Sequence, residues 1–183
     1  MPILGSLSSS RRRSPDAPTS VSATDVGTSR AYNNGAATVT FTAPAYDGGL
    51  AVTSYTATSS PGGFTASGAS SPLTVTGLQS GVSYTFTVTA SNSAGTSSAS
   101  SESGSITATT VPQAPTIGSA TAGNASATVA YTANATGGKA VSTYTATSSP
   151  GSSTGTGASP ITVSGLTNGT AYTFTVTATN ANG

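Results

Sequence analysis

Residues 73–95, LTVTGLQSGVSYTFTVTASNSAG, and residues 161–183, ITVSGLTNGTAYTFTVTATNANG, are two copies of one stretch, 88 positions apart without a gap. At 84–90 in the first copy, large apolar residues alternate with threonine, and the same alternation fills 172–178 in the second. Successive side chains of a strand point to opposite faces, so this alternation predicts a strand with one buried and one solvated face. The stretch therefore predicts two copies of one β unit.

The repeat extends upstream of that stretch. SYTATSSPGG at 54–63 matches TYTATSSPGS at 143–152, and ATVTFTA at 37–43 matches ATVAYTA at 127–133. Each unit holds short alternating segments at roughly ten-residue spacing, separated by Gly, Pro, Ser and Asn, and no segment has a helical period. This organisation predicts an all-β fold of antiparallel sandwiches in tandem.

Composition limits the chemistry. Only 5% of the 183 residues are charged, against about a quarter in an average soluble protein. The absence of Cys and His removes disulfides, thiolate and imidazole catalysis and most transition-metal sites. The only carboxylates, Asp16, Asp25, Asp47 and Glu102, fall at unrelated points of the repeat, which disfavours a paired-carboxylate hydrolase. We predict a non-enzymatic protein without cofactor or metal.

Basic residues are concentrated at the N-terminus. Arg30 and Lys139 are the only basic residues outside the Arg11–Arg13 run, too few for the basic face that a nucleic-acid-binding domain needs. No apolar run reaches the length of about 18 residues that spans a membrane. Neither nucleic acid nor a membrane span is predicted for the repeats.

Residues 1–14 form a Ser-rich arm ahead of the repeats. Short arms that order on binding are a common docking device, and the alternative is a disordered tail. The candidate anchoring residues are Ile3, Leu4, Leu7, Arg11, Arg12 and Arg13. The apolar residues precede the arginines, the reverse of a secretory signal, so no export signal is predicted.

The motif GLQSGVSYTFTV at 77–88, repeated as GLTNGTAYTFTV at 165–176, resembles the fibronectin type III family. In that family a Leu and a Tyr on either side of a Gly-containing turn form a tyrosine corner, whose hydroxyl bonds back to the backbone. The resemblance assigns the corners to Leu78 with Tyr84 and Leu166 with Tyr172.

The resemblance also implies seven-stranded immunoglobulin-like sandwiches, module 1 at 15–111 and module 2 at 112–183. Where the family usually carries Trp, this chain has Phe41 and Tyr131, which favours the bacterial or viral type of module. Module 2 stops before the position of its last strand. Because a missing strand opens a sheet edge, we expect that the natural chain continues past Gly183 or that another subunit supplies the strand.

Module 1 carries an insertion, DVGTSRAYNNG at 25–35, where module 2 has AGNAS. Arg30, Tyr32 and Asn33 are charged, aromatic and polar residues on an otherwise featureless surface, so they form a candidate recognition loop. The alternative is a plain hairpin loop, since Asn-Gly at 34–35 is a favoured turn dipeptide.

Three features favour a virion structural protein. The module is of an extracellular type but has no predicted export signal, its surface carries little charge, and a docking arm precedes it. We expect a phage decoration, capsid-fibre or tail-associated fibre protein whose arm binds capsid or tail proteins. The modules then project as spacers or adhesion domains that contact host-surface glycans, in several copies or as a homo-oligomer. The alternative is an extracellular or cell-surface role, as spacer modules of a secreted bacterial glycan hydrolase or an adhesin.

Overall fold

The structure, a computed structural model, describes residues 12–183. The regular elements across 12–183 are all strands, and no helix there is long and apolar enough to cross a membrane. The strands are β1 (Thr19–Asp25), β2 (Gly35–Thr42), β3 (Ser54–Ser60), β4 (Thr65–Gly68), β5 (Leu73–Leu78), β6 (Ser83–Asn92), β7 (Gly95–Thr96), β8 (Ile106–Thr107), β9 (Thr116–Gly123), β10 (Ser126–Thr132), β11 (Thr143–Ser149), β12 (Thr154–Thr156), β13 (Ile161–Ser164) and β14 (Thr173–Thr179). The all-β prediction is confirmed.

Module 1 has two sheets. One has the strand order β1-β2-β5, and the other has the order β4-β3-β6-β7, with β8 also paired to β6. The alternation predicted at 84–90 lies in β6, where Phe86, Val88 and Ala90 are fully buried. Burying a side chain of the size of Phe or Val stabilises a fold by about 1.5 to 3 kcal/mol, so β6 supplies much of this core.

Module 2 repeats the arrangement with sheets of order β13-β10-β9 and β12-β11-β14. Its core side chains are Ala127, Val129, Ala146, Ile161, Val163, Leu166 and Val176. The Phe41 and Tyr55 rings of module 1 lie 4.8 Å apart between centroids, and their counterparts Tyr131 and Tyr144 lie 4.7 Å apart. The aromatic pair therefore fills the same place in both sandwiches.

The contact pattern divides the chain into two compact units. Of the described residues, unit 1 holds 12–24, 37–76 and 83–106. Unit 2 holds residues 107–183 and also 25–36 and 77–82, two loop regions of the first repeat. The insertion and the turn before β6 are thus parts of the second compact unit.

Candidate functional site

The predicted recognition loop lies in unit 2, between β1 and β2. The Arg30 carbonyl accepts a hydrogen bond from Val111 N at 3.0 Å. The Arg30 guanidinium turns back on its own loop, with Nε donating to the Asn34 carbonyl at 2.8 Å and Nη2 to Asn34 Oδ1 at 3.3 Å. Arg30 and Tyr32 are half-buried. The loop is therefore bonded internally and to the segment that joins the two repeats.

Asn33 continues this set of contacts. Its N–H donates to Ser80 Oγ at 3.0 Å, and its Oδ1 accepts from Ser80 N at 3.2 Å. The Ser80 hydroxyl is also hydrogen-bonded to Thr110 Oγ1 at 2.6 Å. The positive φ of 59° at Asn33 suits asparagine, which adopts the left-handed region more readily than most residues. A recognition role for Arg30, Tyr32 and Asn33 stays a prediction.

A buried polar cluster holds the connecting residues Thr109 and Thr110 in unit 2. The Asp25 carboxylate accepts from Thr109 N at 3.0 Å and also from the Thr109 hydroxyl. Asn182 Nδ2 donates to Thr109 Oγ1 at 2.8 Å, and its Oδ1 accepts from Lys139 Nζ at 3.1 Å. Across residues 12–183, every buried side-chain nitrogen and oxygen has a hydrogen-bond partner. A polar cluster without orphaned groups rigidifies its surroundings.

The end of the predicted anchor lies on unit 1. Arg13 N donates to the Gly48 carbonyl at 3.0 Å, and the Arg13 guanidinium pairs with Asp16 at 3.0 Å. The same guanidinium lies 4.7 Å from the centre of the Tyr46 ring. Such exposed contacts contribute little stability, about 1 kcal/mol or less for the ion pair.

The other anchoring residues are distributed as follows. Arg12 is exposed. Ile3, Leu4, Leu7 and Arg11 lie outside the described residues. Their anchoring role stays a prediction.

One asparagine per module holds the segment that enters the sandwich. In unit 1, Asn92 Nδ2 donates to the carbonyls of Arg13 at 2.8 Å and Asp47 at 2.7 Å. Its Oδ1 accepts from the backbone N–H groups of Ala94 at 2.8 Å and Gly95 at 3.2 Å. We call Asn92, or its counterpart in module 2, the asparagine clamp.

In unit 2 the clamp is Asn180, which is 88 positions from Asn92. Its Nδ2 donates to the carbonyls of Thr110 and Thr136, both at 2.9 Å, and its Oδ1 accepts from Asn182 N at 2.8 Å. Thr110 N donates to Gly137 O at 2.8 Å, as Arg13 N does to its glycine. Thr110 of the connecting segment and Arg13 of the arm therefore occupy the same structural position.

Glycine is required where the clamped segment passes. Gly137 has a φ of +74°, and a Cβ added to it would lie 2.5 Å from the carbonyl oxygens of Thr110 and Val111. Gly48 has a φ of +82° and would place its Cβ against the Arg13 carbonyl. Both positions adopt a left-handed backbone that other residues rarely take, so the close approach and the backbone conformation select glycine together.

The tyrosine corners have different environments. Tyr172 Oη accepts a hydrogen bond from Thr167 N at 3.0 Å, and this bond lowers the pKa of Tyr172 below its ordinary value. Leu166 lies in the module 2 core. In module 1, Leu78 is fully buried and Tyr84 is 2% exposed. The Tyr84 ring contacts Phe64 edge to face at 6.1 Å.

A groove of about 200 Å³ lies beside the Tyr172 corner. It is bounded by residues of β9 on one side and by the turn at 166–170, Tyr172 and Phe174 on the other. Its lining combines aromatic rings with the hydroxyl and amide groups of Thr167, Asn168 and Thr170, and contains no ionisable group except the Tyr172 phenol. Such a lining suits a neutral ligand better than a charged one.

The described residues offer little catalytic chemistry. Among residues 12–183, no three acidic side chains come together as a metal site would require. Asp47 Oδ1 accepts from Gly49 N at 2.8 Å, which is the contact of an Asx turn. The carboxylate of Asp25 accepts hydrogen bonds from the backbone N–H and the hydroxyl of Thr109.

Residues 16–106 match the family described as Fibronectin type III domain. Among solved structures, domains FN1–FN3 of chicken CNTN1 align at 19% identity and a TM-score of 0.50, over 93% of this chain and 63% of that one. Domains A168–A170 of titin align at 28% identity and a TM-score of 0.45, over 51% of this chain and 32% of that one. The chain thus spans less than two thirds of either structure, and the first likeness shows a shared fold. No curated protein matches the sequence.

Proposed function

Starting from a first repeat that is a fibronectin type III domain and a second that repeats its sheets, we propose that this chain is a non-enzymatic spacer and adhesion protein of a bacteriophage virion. Domains of this type are generally adhesion or spacer modules. The fold is shared by proteins of many functions, so the function of one domain depends on its particular surfaces. The N-terminal arm binds a capsid or tail protein of the particle. The modules stand outside it and contact host-surface glycans.

The spacer role is supported by the burial and hydrogen bonding of the segment that connects the two repeats. Thr109 is 6% exposed and Thr110 is fully buried, and both are hydrogen-bonded inside unit 2. A free linker would instead expose its backbone to water. The segment that joins the two repeats is therefore part of a folded unit.

The surface supports a role in a crowded assembly. With 5% charged residues, the faces of the sheets present threonine and serine hydroxyls in place of charged groups. Neutral hydroxyl-rich surfaces have little long-range electrostatic attraction or repulsion, so many copies can lie close together.

The arm supports the docking role. Arg13 is held by the clamp on unit 1, whereas Arg12 is exposed. We assign anchoring to Ile3, Leu4, Leu7, Arg11 and Arg12, with Arg13 as the fixed point from which the arm leaves the module. Apolar residues then bury in a pocket of the particle while the guanidinium groups pair with carboxylates there.

The test removes residues 1–11, which leaves Arg13 and its clamp in place, and compares particle incorporation with that of the full chain. A matched variant keeps the arm length and replaces Arg11 and Arg12 with serine. We expect the truncation to abolish co-sedimentation with particles in a density gradient and the matched variant to reduce it. Unchanged incorporation of the truncated chain contradicts the anchor. Recovery from the native source as a free protein joined to a catalytic domain would establish the hydrolase-spacer alternative instead.

A further inference from the structure

A groove of about 440 Å³ lies in module 2 at the aromatic pair Tyr131 and Tyr144. Residues 141–143, which lead into β11, and residues 156–158, at the end of β12, complete its lining. We call this site the paired-tyrosine groove. Its volume falls within the range of about 300 to 1,000 Å³ that is typical of ligand sites. The groove beside the Tyr172 corner, at about 200 Å³, is less than half as large.

The paired-tyrosine groove is built by the sandwich itself. Its lining comes from β10, from β11 with the residues before it, and from the end of β12 with the loop that follows, whereas β14 contributes no lining residue. Module 1 has a smaller groove of about 250 Å³ in the same place, lined by Phe41, Ala43, Tyr55 and residues 69–71. That groove is present although serines of the segment 97–103 bond along β6, so it does not depend on what pairs with the sixth strand.

The aromatic pair is more open in module 2 than in module 1. The rings of the module 1 pair are buried, at 9% and 7% exposure, whereas Tyr131 and Tyr144 are half-buried. The loop beside the pair reads Gly-Ala-Ser-Ser-Pro at 68–72 and is one residue shorter, Gly-Ala-Ser-Pro, at 157–160. Module 2 therefore presents both rings to the groove and to solvent.

Hydroxyl groups surround the two rings. Tyr131 Oη donates to the Gly157 carbonyl at 3.0 Å, which fixes the ring and leaves the oxygen able to accept a hydrogen bond. Tyr144, Thr143 and Thr156 add further hydroxyls to the lining, and the two threonines are exposed. A hydroxyl can both donate and accept, and no charged side chain lines the groove.

This lining defines the chemistry of a ligand. A charged ligand would lose its hydration without gaining an opposite charge. A purely apolar ligand would leave the hydroxyls without partners. The faces of aromatic rings carry partial negative charge and so attract C–H groups. A pyranose ring combines hydroxyls that donate and accept with an apolar C–H face, and the all-equatorial β-gluco configuration leaves axial C–H groups on both faces.

We propose that the paired-tyrosine groove binds a neutral, β-gluco-configured pyranose unit of a host-surface glycan. The Tyr131 and Tyr144 rings contact the C–H face of the sugar, and the hydroxyls of Tyr144, Thr143 and Thr156 bond to its hydroxyls. The inference deepens the proposed function and rests on it for the source of the glycan.

The test titrates the ¹⁵N-labelled chain of 183 residues with cellotriose, a neutral chain of three β-linked glucose units. We expect saturable shifts of the amides at 142–144 and 156–158, which line the groove. We also expect magnetisation transfer from the tyrosine rings to the C–H protons of the sugar, because the rings contact that face.

Single-hydroxyl variants separate a built site from nonspecific contact. Thr156→Val keeps a branched side chain on the outer strand β12, and Tyr144→Phe keeps the ring. Each should weaken cellotriose binding by about fivefold, as expected for one lost hydrogen bond. Tyr55→Phe, the matched change in module 1, should leave the affinity unchanged. The amide spectrum of each variant reports whether it is folded.

Three outcomes would overturn the inference. They are the absence of saturable shifts at 142–144 and 156–158, shifts confined to the groove beside the Tyr172 corner, and unchanged affinity in both Thr156→Val and Tyr144→Phe. Sedimentation with particles separates this inference from the proposed function. A chain that co-sediments but does not bind cellotriose contradicts the sugar site alone, whereas one that binds cellotriose but never co-sediments supports the site and contradicts the virion role.

Discussion

Replacing Asn92 with alanine should destabilise module 1 far more than the small size of the change suggests. The side chain is 8% exposed and makes four hydrogen bonds to backbone groups. At about 1 kcal/mol per bond, less what water regains at the partly open turn, the expected loss is about 2 to 4 kcal/mol. With a urea dependence of about 2 kcal/mol per M, the unfolding midpoint should fall by roughly 1 to 2 M.

The assay is urea unfolding of the whole chain, followed by circular dichroism and by the fluorescence of its tyrosines, since there is no tryptophan. Asn92→Asp keeps the acceptor oxygen but turns a carboxylate oxygen towards the carbonyls of Arg13 and Asp47, so it should destabilise at least as much. Ser93→Ala, in the same turn and exposed, is the matched control. The clamp has no energetic role if Asn92→Ala lies within about 0.5 kcal/mol of that control, the range of ordinary surface substitutions.

Three further predictions concern other positions. Gly48→Ala should cost about 1 to 3 kcal/mol in urea unfolding, because the left-handed backbone and the clamped carbonyl both oppose a methyl group. Phe86→Ala should cost about 3 to 5 kcal/mol in thermal unfolding, because its fully buried ring leaves a cavity. The hydrogen bond from the Thr167 backbone N–H lowers the pKa of Tyr172 in the folded state, so ionisation of Tyr172 stabilises the folded protein. This contribution is complete above a pH of about 10, the pKa of an unfolded tyrosine, and is lost as the pH falls through the folded pKa. Desolvation raises the pKa of Tyr131 in the folded state, so the stability that neutral Tyr131 contributes is lost as the pH rises past about 10. Tyr172→Phe and Tyr131→Phe should therefore change the free energy of unfolding above pH 9 in opposite directions, measured by urea unfolding at a series of pH values.

Strands that alternate large apolar residues with threonine were predictable from the sequence. The alternation places Val39 and Phe41 in β2 and Leu73 and Val75 in β5, all with buried side chains. Alternation identifies the strands well because it reports directly which face meets the core.

The segment at 97–103 escaped prediction for a physical reason. Ser97, Ser100 and Ser103 bond to the backbone of β6, so the contacts of this segment recur every three residues. Neither the two-residue period of a strand nor the 3.6-residue period of a helix is present. The serine positions 97, 100 and 103 are the available signal, but neighbouring serines at 98 and 101 hide it.

The asparagine clamp and the contacts of the insertion were also out of reach of local patterns. Asn92 bonds to residues 45 and 79 positions away, and Asn33 bonds to a serine 47 positions away. Which residues meet across such sequence separations is decided by the packing of the sheets and not by local sequence. The recurrence of the asparagine and of the Gly-Gly pair in both copies is the signal that a comparison of the repeats offers.

The clamp binds main-chain carbonyls and never a side chain of the entering segment. Asn92 holds a segment that reads Arg-Ser-Pro-Asp, and Asn180 holds one that reads Thr-Val-Pro-Gln. The clamp can therefore hold a segment whatever the side chain at the clamped position, which is arginine in one copy and threonine in the other. Side-chain bonds, such as those of the Thr109 and Thr110 hydroxyls, are added to this contact and belong to the individual connecting segment.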